Sequence, residues 1–255
     1  MKKLFKFILN HIPRPILIKA SYWVSPLISF YLKGTTYTDP IDGKSFRKFL
    51  PYGYGKQRPN VLSPSTLSLE RHRLLWLYLK NETDFFTAQK KVLHIAPEQC
   101  FLKLFKKQNN LQYITADLYS PIADVKADIC DLPFEDNSFD AITVAFGVRN
   151  FETLEKGLKE IHRVLKPQGT FVILETSMPT KTPFKQGYNF YTKNILPLIG
   201  KLFSKDRSAY QYLCESASVF PFGEALNNIL REIGFINVKD FPQTFGVATI
   251  YKSSK

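Results

Sequence analysis

The sequence predicts an α/β fold: a doubly wound, mostly parallel sheet with an antiparallel C-terminal strand, preceded by a basic and apolar N-terminal extension. From residue 91 onward, short apolar runs of strand length alternate with segments whose apolar residues recur at helical spacing. This alternation is typical of a parallel sheet that is covered by helices on both faces. Near the C-terminus two strand-like runs follow each other with no helix between them, so we expect them to pair antiparallel.

The elements come in a regular order along the chain. We expect strands at residues 92–96, 113–116, 141–146, 170–174, 237–241 and 245–251, and helices at residues 98–107, 154–165 and 226–233. The segment Lys166–Gly169 (KPQG) breaks the second of these helices, and Gly234 stops the last. Residues 67–80 have the apolar content and length of an earlier helix, whose basic cluster Arg71–Arg73 we expect to be solvated.

Composition limits the class of protein. Of the 255 residues, 44% are hydrophobic, which supplies a core and excludes a disordered chain. The net charge of +13 predicts a surface that attracts anions, and nucleic acid, anionic lipid headgroups and acidic metabolites all fit that charge. The three cysteines are an odd number without a Cys-x-x-Cys spacing, so we expect no disulfide framework and a cytoplasmic, reducing location.

The N-terminal third divides into two segments. Residues 1–34 mix Lys and Arg with large apolar residues, and neither a signal peptide nor a membrane span fits them. Two interpretations stay open for this segment: it lies on an anionic membrane surface, or it is a lid packed on the core. Residues 35–66 are rich in turn formers, which indicates loops with short strands.

The stretch Leu132–Asn150 contains the first candidate site. Its buried strand, Ala141–Phe146, ends in Gly147 and places Arg149 and Asn150 just past the carboxyl end. In open α/β sheets ligands bind at that edge. A polar loop that caps a core strand would give the same pattern, so both interpretations stay open.

Two further segments end at the same expected edge. Asp117 ends the second strand, at the position where a carboxylate accepts the hydroxyls of a cofactor ribose; a turn or a helix cap is the alternative. Asp128 and Ile129 follow where an adenine ring would be held. The first loop, His94–Cys100, contains no glycine, which argues against a pyrophosphate cofactor.

Motifs in the second half resemble the C-methyltransferases of menaquinone and ubiquinone biosynthesis. The resemblance covers about residues 132–252 and rests on Ala145–Asn150 (AFGVRN), Arg163–Pro167 (RVLKP), Leu174–Glu175, Tyr188–Tyr191 (YNFY), Ile195–Gly200, Ala209–Leu213 with Glu215–Ser216, and Thr244–Gly246. It implies a class I, Rossmann-like fold that uses S-adenosylmethionine to methylate a ring carbon of a polyprenylated quinol, as in the conversion of demethylmenaquinol to menaquinol.

Residues 1–140 resemble a different methyltransferase-domain family, some members of which carry a zinc ribbon. The ligand positions of that ribbon are here Asp39, Asp42, Ser63 and Thr66, a set without cysteine or histidine, so we expect no metal. The two resemblances meet near Asp140. We therefore expect an N-terminal extension with a metal-free ribbon remnant at residues 1–66 and a methyltransferase domain at residues 67–255.

The resemblance implies roles for individual residues at the cofactor. S-adenosylmethionine has no phosphate and carries a sulfonium cation, so a glycine-free loop bearing Glu98 is compatible with it. The implied cofactor contacts are Glu98, Gln99, Asp117, Asp128, Ile129 and Ala145.

For the acceptor, the resemblance implies that Arg149 stabilises a developing phenolate or polarises a water that takes the proton, and that Asn150 orients the ring oxygen. Tyr188 and Tyr191 would line the prenyl-quinol pocket, although aromatic residues at this spacing are also common in a core. We assign no role to His94 or His162.

Three hypotheses follow. The first is a quinol C-methyltransferase at the inner face of a bacterial membrane, to which residues 1–34 would bring it. The second is a methyltransferase of another small molecule or of RNA, favoured by the first-half resemblance and the net charge. The third, kept open by the glycine-free loop, is a cofactor-binding or membrane-associated protein without catalysis. The sequence does not indicate an oligomeric state.

Overall fold

The computed structural model describes residues 12–53, 57–190 and 219–255. Its elements are, in chain order, α1 (Arg14–Tyr31), β1 (Lys33–Thr38), β2 (Ser45–Phe46), β3 (Leu50–Tyr52), β4 (Arg58–Leu62), α2 (Glu70–Glu82), β5 (Lys90–Ile95), α3 (Gln99–Lys106), β6 (Leu111–Asp117), β7 (Val125–Lys126), β8 (Phe139–Ala145), α4 (Leu154–Val164), β9 (Leu165–Thr176), α5 (Phe184–Phe190), α6 (Glu224–Ile233), β10 (Ile236–Gln243) and β11 (Ala248–Ser254). Short 3₁₀ helices occupy Val148–Asn150 and Thr244–Gly246.

Seven of these strands form one sheet in the order β10-β11-β9-β8-β5-β6-β7. The strands from β7 to β9 are parallel to one another, and β11 runs antiparallel to both β9 and β10. This topology confirms the predicted doubly wound sheet with an antiparallel C-terminal strand. The predicted closing hairpin is also confirmed, and its second strand lies inside the sheet, between β9 and β10.

Two apolar clusters cover the two faces of the sheet. On one face α4 and α6 contribute residues such as Leu158 and Leu230, and on the other α2 and α3 contribute residues such as Leu75 and Phe101. A strand buried on both faces is mostly apolar, which explains the apolar residues of β8; its buried Thr143 is the exception within 141–145. Within the described residues, no helix combines the length and the apolar character needed to cross a bilayer.

The N-terminal strands form two separate antiparallel pairs, β1–β2 and β3–β4, outside the main sheet. At the positions of the expected ribbon, Asp39 is fully buried and its Oδ2 accepts a hydrogen bond from Thr66 Oγ1 at 2.5 Å. Asp42 instead accepts the backbone N–H of Lys44. Among the residues that the structure describes, no group of three or more His, Cys, Asp or Glu side chains could hold a metal ion. A hydrogen-bonded network therefore joins the two turns here, and the division of the chain at residue 66 stays a prediction.

Helix α2 differs from expectation in its start and in its basic cluster. Leu67 has a φ of +59°, which is incompatible with a right-handed helix, so α2 begins only at Glu70. His72 is buried, and its Nδ1 accepts the backbone N–H of Leu69 at 3.0 Å. Arg73 donates to the carbonyl oxygens of Ser68 and Val61. The expectation of a solvated cluster was therefore wrong for His72 and Arg73, because both hold the start of the helix in place.

Candidate active site

The carboxyl ends of β7, β6, β5, β8 and β9 meet at one edge of the sheet, which we call the carboxyl edge. Strand β5 pairs with β6 on one side and with β8 on the other. The connection after β5 therefore leads to one side of this strand, and the later strands β8 and β9 lie on its other side. This is a topological switch point, where open α/β sheets form a crevice that binds ligands.

Two small residues lie at this switch point. Ala96, directly after β5, has a φ of +54°, a left-handed conformation that glycine usually provides. Gly147, two residues after the end of β8, faces Ala96. A Cβ at Gly147 would lie 3.2 Å from Ala96 Cβ and 2.9 Å from Val144 Cγ2. The glycine-free first loop therefore adopts a glycine-like backbone, and Gly147 on the neighbouring loop leaves the space that the Ala96 side chain needs.

Glu98 precedes α3 and holds a mostly buried carboxylate that contacts His94 but accepts no hydrogen bond from the described residues. Its two side-chain oxygens are buried and have no hydrogen-bond partner within the described residues. Nε2 of His94 lies 2.7 Å from Glu98 Oε2, but outside hydrogen-bonding geometry. His94 Nδ1 shares a hydrogen bond of 2.6 Å with the hydroxyl of Tyr113, and burial raises the pKa of that hydroxyl. A buried carboxylate without donors is costly unless a cation or a donor joins it. His94, to which we assigned no role, therefore contacts a candidate cofactor ligand.

The side chain of Gln99 points to α1. Its Nε2 donates to Ser21 Oγ at 2.7 Å, which ties the start of α3 to the middle of α1. This contact fixes the amide nitrogen against α1, and the expected cofactor contact of Gln99 stays a prediction.

The two carboxylate oxygens of Asp117 differ in their hydrogen bonds. Its Oδ1 accepts the backbone N–H groups of Tyr119 and Ser120, at 2.7 and 2.6 Å. No donor from the described residues reaches Oδ2. The turn interpretation and the ribose interpretation are therefore compatible, because the turn orders the carboxylate and leaves one oxygen for a ligand.

The three remaining candidates for the cofactor differ in exposure. Asp128 is exposed, and its Oδ1 accepts the backbone N–H of Cys130 at 2.9 Å. Ile129 is half-buried and belongs to the margin of the apolar cluster under α4. Ala145 is buried in the other cluster, so its side chain is part of the core and only its backbone faces the carboxyl edge.

Arg149 forms a buried ion pair with Glu175, the penultimate residue of β9. Its Nη1 lies 2.8 Å from Glu175 Oε1 and 3.2 Å from Thr176 Oγ1, and the Glu175 side chain is fully buried. The Nε of Arg149 is also buried but has no partner within the described residues. Arg149 and Asp117 thus share the carboxyl edge on opposite sides of β5, and the guanidinium turns toward β9. Sequence reasoning missed Glu175 as a partner; its signal was a carboxylate at the end of an otherwise apolar strand.

Phe146 lies between two guanidinium groups. Its φ is +53°, and its ring faces Arg149 at 5.9 Å and Arg71 of α2 at 5.5 Å, measured from the guanidinium carbon to the ring centroid. Arg71 was expected to be solvated rather than catalytic. It is exposed, as expected, and its guanidinium contacts Phe146 beside the carboxyl edge.

The acceptor candidates are only partly described. Asn150 is exposed at the end of the 3₁₀ helix that follows β8, and its backbone N–H bonds to the Gly147 carbonyl. Tyr188 is half-buried in α5, a helix that stacks Phe184 on Phe245 at 4.2 Å between ring centroids. Tyr191 and the resemblance segments between residues 195 and 216 lie outside the described residues.

The strand order, the switch point and the row of polar side chains at the carboxyl edge define a Rossmann-like α/β protein of the class I methyltransferase type. The model of the ubiE/COQ5 methyltransferase family matches residues 78–255. The chain belongs to this family.

The chain is similar to three curated methyltransferases over 138 to 154 residues. The demethylmenaquinone methyltransferase of Bacteroides fragilis is 48% identical over 138 residues, covering 54% of this chain and 56% of the relative. That of Porphyromonas gingivalis is 42% identical over 139 residues, covering 54% and 57%. The ubiquinone/menaquinone biosynthesis C-methyltransferase UbiE of Geotalea uraniireducens is 44% identical over 154 residues, covering 60% and 63%. The chain thus spans little more than half the length of these relatives. The family match begins at residue 78, well before Asp140, where the two resemblances were expected to meet.

Proposed function

We propose that this protein is an S-adenosylmethionine-dependent C-methyltransferase that acts on a polyprenylated quinol of the demethylmenaquinol type. The observation that carries the proposal is the position of Gly147–Asn150, a segment on which the family resemblance rests, at the switch point of the sheet. The relatives named above carry the same activity in their names. Methylation of another small molecule or of RNA is the alternative that the experiment must separate.

The residues of the first two strand ends fit the cofactor. The Glu98 carboxylate, which accepts no hydrogen bond from the described residues, is suited to a cation, and the sulfonium and the ammonium of S-adenosylmethionine are both cationic. Asp117 Oδ2 would accept the ribose hydroxyls, and Asp128 with Ile129 would hold the adenine edge and face. The backbone of Ala145 would complete this row. When bound, the cofactor supplies an electrophilic methyl group.

The residues after β8 would act on the acceptor. A quinol ring carbon becomes nucleophilic when the adjacent hydroxyl loses its proton, so a positive group beside that oxygen favours the reaction. Arg149 offers such a group, since Glu175 fixes its Nη1 and its buried Nε still lacks an acceptor. Asn150 would orient the ring oxygen, and Tyr188 and Tyr191 would line the prenyl-quinol pocket.

The acceptor is a lipid, which has a consequence for the location of the enzyme. A polyprenylated quinol is dissolved in the membrane, so we infer that the protein works at the inner membrane face from the cytoplasmic side. The basic and apolar residues 1–34 would make this contact.

The first experiment follows the methyl group. The protein is incubated with methyl-labelled S-adenosylmethionine and demethylmenaquinol, and label should enter the quinone fraction. Arg149→Lys, which keeps the charge beside Glu175 but loses the planar fork, should lower kcat by about 10²-fold. Its calorimetric affinity for the cofactor should stay unchanged.

Arg231→Lys is the matched control, because Arg231 is exposed on α6 and pairs there with Glu224. This variant should methylate at the rate of the unchanged protein. Label in another small molecule or in RNA, with none in the quinone fraction, would refute the proposed acceptor.

A further inference from the structure

Helix α1 turns two serines toward the protein. Ser21 and Ser25 lie one turn apart on this inner side. Ser25 is buried, and its Oγ lies 2.8 Å from the carbonyl oxygens of both Pro64 and Ser65. Ser21 Oγ accepts the Gln99 amide. A surface helix of a globular protein normally packs its apolar side on the core and shows its polar side to water. In α1 the inner side combines these serines with Ile28, which packs on Phe46 and Phe49, whereas larger apolar residues point outward.

The apolar side of α1 is exposed. The exposed fractions are 82% for Trp23, 71% for Leu27, 84% for Phe30 and 73% for Tyr31, and Ile16 and Val24 are about half exposed on the same side. The spacing of these residues forms one stripe along the helix, which we call the outer face of α1. A contiguous apolar surface of this kind marks a contact with a partner or a membrane.

A cleft of about 820 Å³ lies beside the outer face, between α1 and the strand pairs β1–β2 and β3–β4. Its apolar lining includes Leu27, Tyr31 and Phe49, and its two basic residues are Arg47 and Lys48. The Arg47 guanidinium lies 4.6 Å from the centroid of the Tyr31 ring. Among the described residues that line this cleft there is no Asp or Glu. Apolar walls beside two cations fit a hydrocarbon chain that ends in an anionic headgroup.

The positive charge of the chain is concentrated in its N-terminal part. Residues 1–69 contain eleven Lys and Arg but only two acidic residues, a surplus of nine out of the thirteen positive charges of the chain. Of the two acidic residues, Asp39 is fully buried and Asp42 pairs with Lys44. The 186 residues that follow are close to neutral. A polybasic segment next to an exposed apolar helix is the arrangement that binds anionic bilayers.

We propose that the outer face of α1 lies in the interface of an anionic phospholipid bilayer, and that the cleft beside it takes one lipid chain with its phosphate at Arg47 and Lys48. The aliphatic Ile16, Val24 and Leu27 favour a bilayer over single-stranded RNA, which stacks its bases on aromatic rings. This surface stands on exposure and charge, and it does not depend on the identity of the methyl acceptor.

The chain carries its own reporter for this contact. It contains two tryptophans, of which Trp76 is buried and Trp23 is exposed on the outer face. Vesicles of phosphatidylcholine with phosphatidylglycerol should shift the Trp23 emission to shorter wavelengths and sediment the protein, and added salt should weaken binding. Pure phosphatidylcholine vesicles should bind far less.

Single variants locate the contact. Phe30→Glu should lower the affinity for the anionic vesicles by more than about tenfold, and Arg47→Glu by about fivefold. Ile236→Glu is the matched control, since Ile236 is 53% exposed on the edge strand β10, and it should bind as the unchanged protein does. Methyl transfer to a detergent-dissolved quinol should be the same in all three, so loss of vesicle binding is separable from loss of activity.

Three results would overturn the proposal. The first is an unchanged Trp23 emission with anionic vesicles. The second is quenching of Trp23 by oligouridylate that vesicles fail to relieve. The third is a stable dimer in sedimentation equilibrium that Phe30→Glu converts to a monomer, which would assign the outer face to a second copy of the chain.

Discussion

A single carboxylate, Glu98, gives the clearest sign of a ligand at the scale of individual residues. It is mostly buried, its oxygens lack hydrogen-bond partners among the described residues, and the nearest side chain is His94. Folding removes this group from water with the His94 contact as its compensation and without a hydrogen bond from the described residues. Such a cost is expected where the group serves a bound cation.

Glu98→Gln should therefore change stability and cofactor affinity in opposite directions. Removing a buried charge that accepts no hydrogen bond from the described residues should raise the free energy of unfolding by about 1–2 kcal/mol. The same change should weaken S-adenosylmethionine binding by about tenfold or more, because the cation loses its counter-charge. Denaturant titration and calorimetry measure the two effects.

Glu135→Gln is the control for this variant, since Glu135 is exposed in the turn before β8. It should alter neither quantity. An unchanged cofactor affinity in Glu98→Gln would exclude a role for this carboxylate in binding.

Residue roles were only partly predictable from the sequence. Asp117 and Arg149 lie at the carboxyl edge, as the strand pattern predicted, because the position of a residue along a strand fixes the edge of the sheet at which it lies. The partners of these residues were not predictable. Glu175 is 26 positions from Arg149, and the pair forms only because β8 and β9 are neighbours in the sheet. Roles for Asp128, Ile129, Asn150, Tyr188 and Tyr191 stay predictions.

At the scale of elements, the loops after β5 and β8 pack against each other. Ala96 has a left-handed backbone, and the absent Cβ of Gly147 leaves room for its side chain. The φ of Gly147 is −114°, so this glycine is needed for space and not for its backbone conformation.

Gly147→Ala should destabilise the protein by about 1–3 kcal/mol, since its Cβ would clash with Val144 and crowd Ala96. In an Ala96→Gly background the cost should be smaller by about 1 kcal/mol, because one of the two crowded neighbours is removed. A double-mutant cycle by urea denaturation measures the difference.

Equal costs of Gly147→Ala in both backgrounds would mean that the two loops do not share this space. Ala96→Gly alone is the internal control. It should change stability little, because relief of the left-handed backbone is opposed by the greater freedom of glycine in the unfolded chain.

The elements themselves were largely predictable, and their orientation was not. The alternation of apolar runs predicted six of the seven strands of the sheet and its flanking helices; it missed the short β7, and β9 begins five residues before the predicted strand. For α1 the sequence predicted a basic and apolar segment, but it could not tell which side faces the protein. That choice depends on Ser25 reaching the carbonyl oxygens of Pro64 and Ser65, forty residues away.

At the scale of the whole molecule, His72 links global stability to pH. Burial lowers the pKa of His72 from 6.5 to about 4 in the folded protein. The unfolded chain therefore binds a proton between these pH values that the folded protein excludes. The contribution of neutral His72 to the free energy of unfolding is fully present above about pH 6.5. It is lost as the pH falls toward 4, and the loss amounts to about 3 kcal/mol.

Urea denaturation at pH 7 and pH 5 tests this linkage. The His72→Asn variant should lose less stability over this interval than the unchanged protein, because an amide does not titrate while its oxygen can still accept the Leu69 N–H. A variant with the same pH dependence as the unchanged protein would show that His72 does not carry the effect.

The sequence by itself determined the sheet, the edge at which its polar residues lie and the family motif at residues 147–150. These features depend on periodicity and on local order along the chain, which a sequence contains directly. Only the tertiary structure decided that Arg149 pairs with Glu175, that Ala96 and Gly147 share one space, and that α1 turns its aromatic side outward. Each of these contacts joins residues far apart in sequence, and its energy exists only when folding brings both partners together.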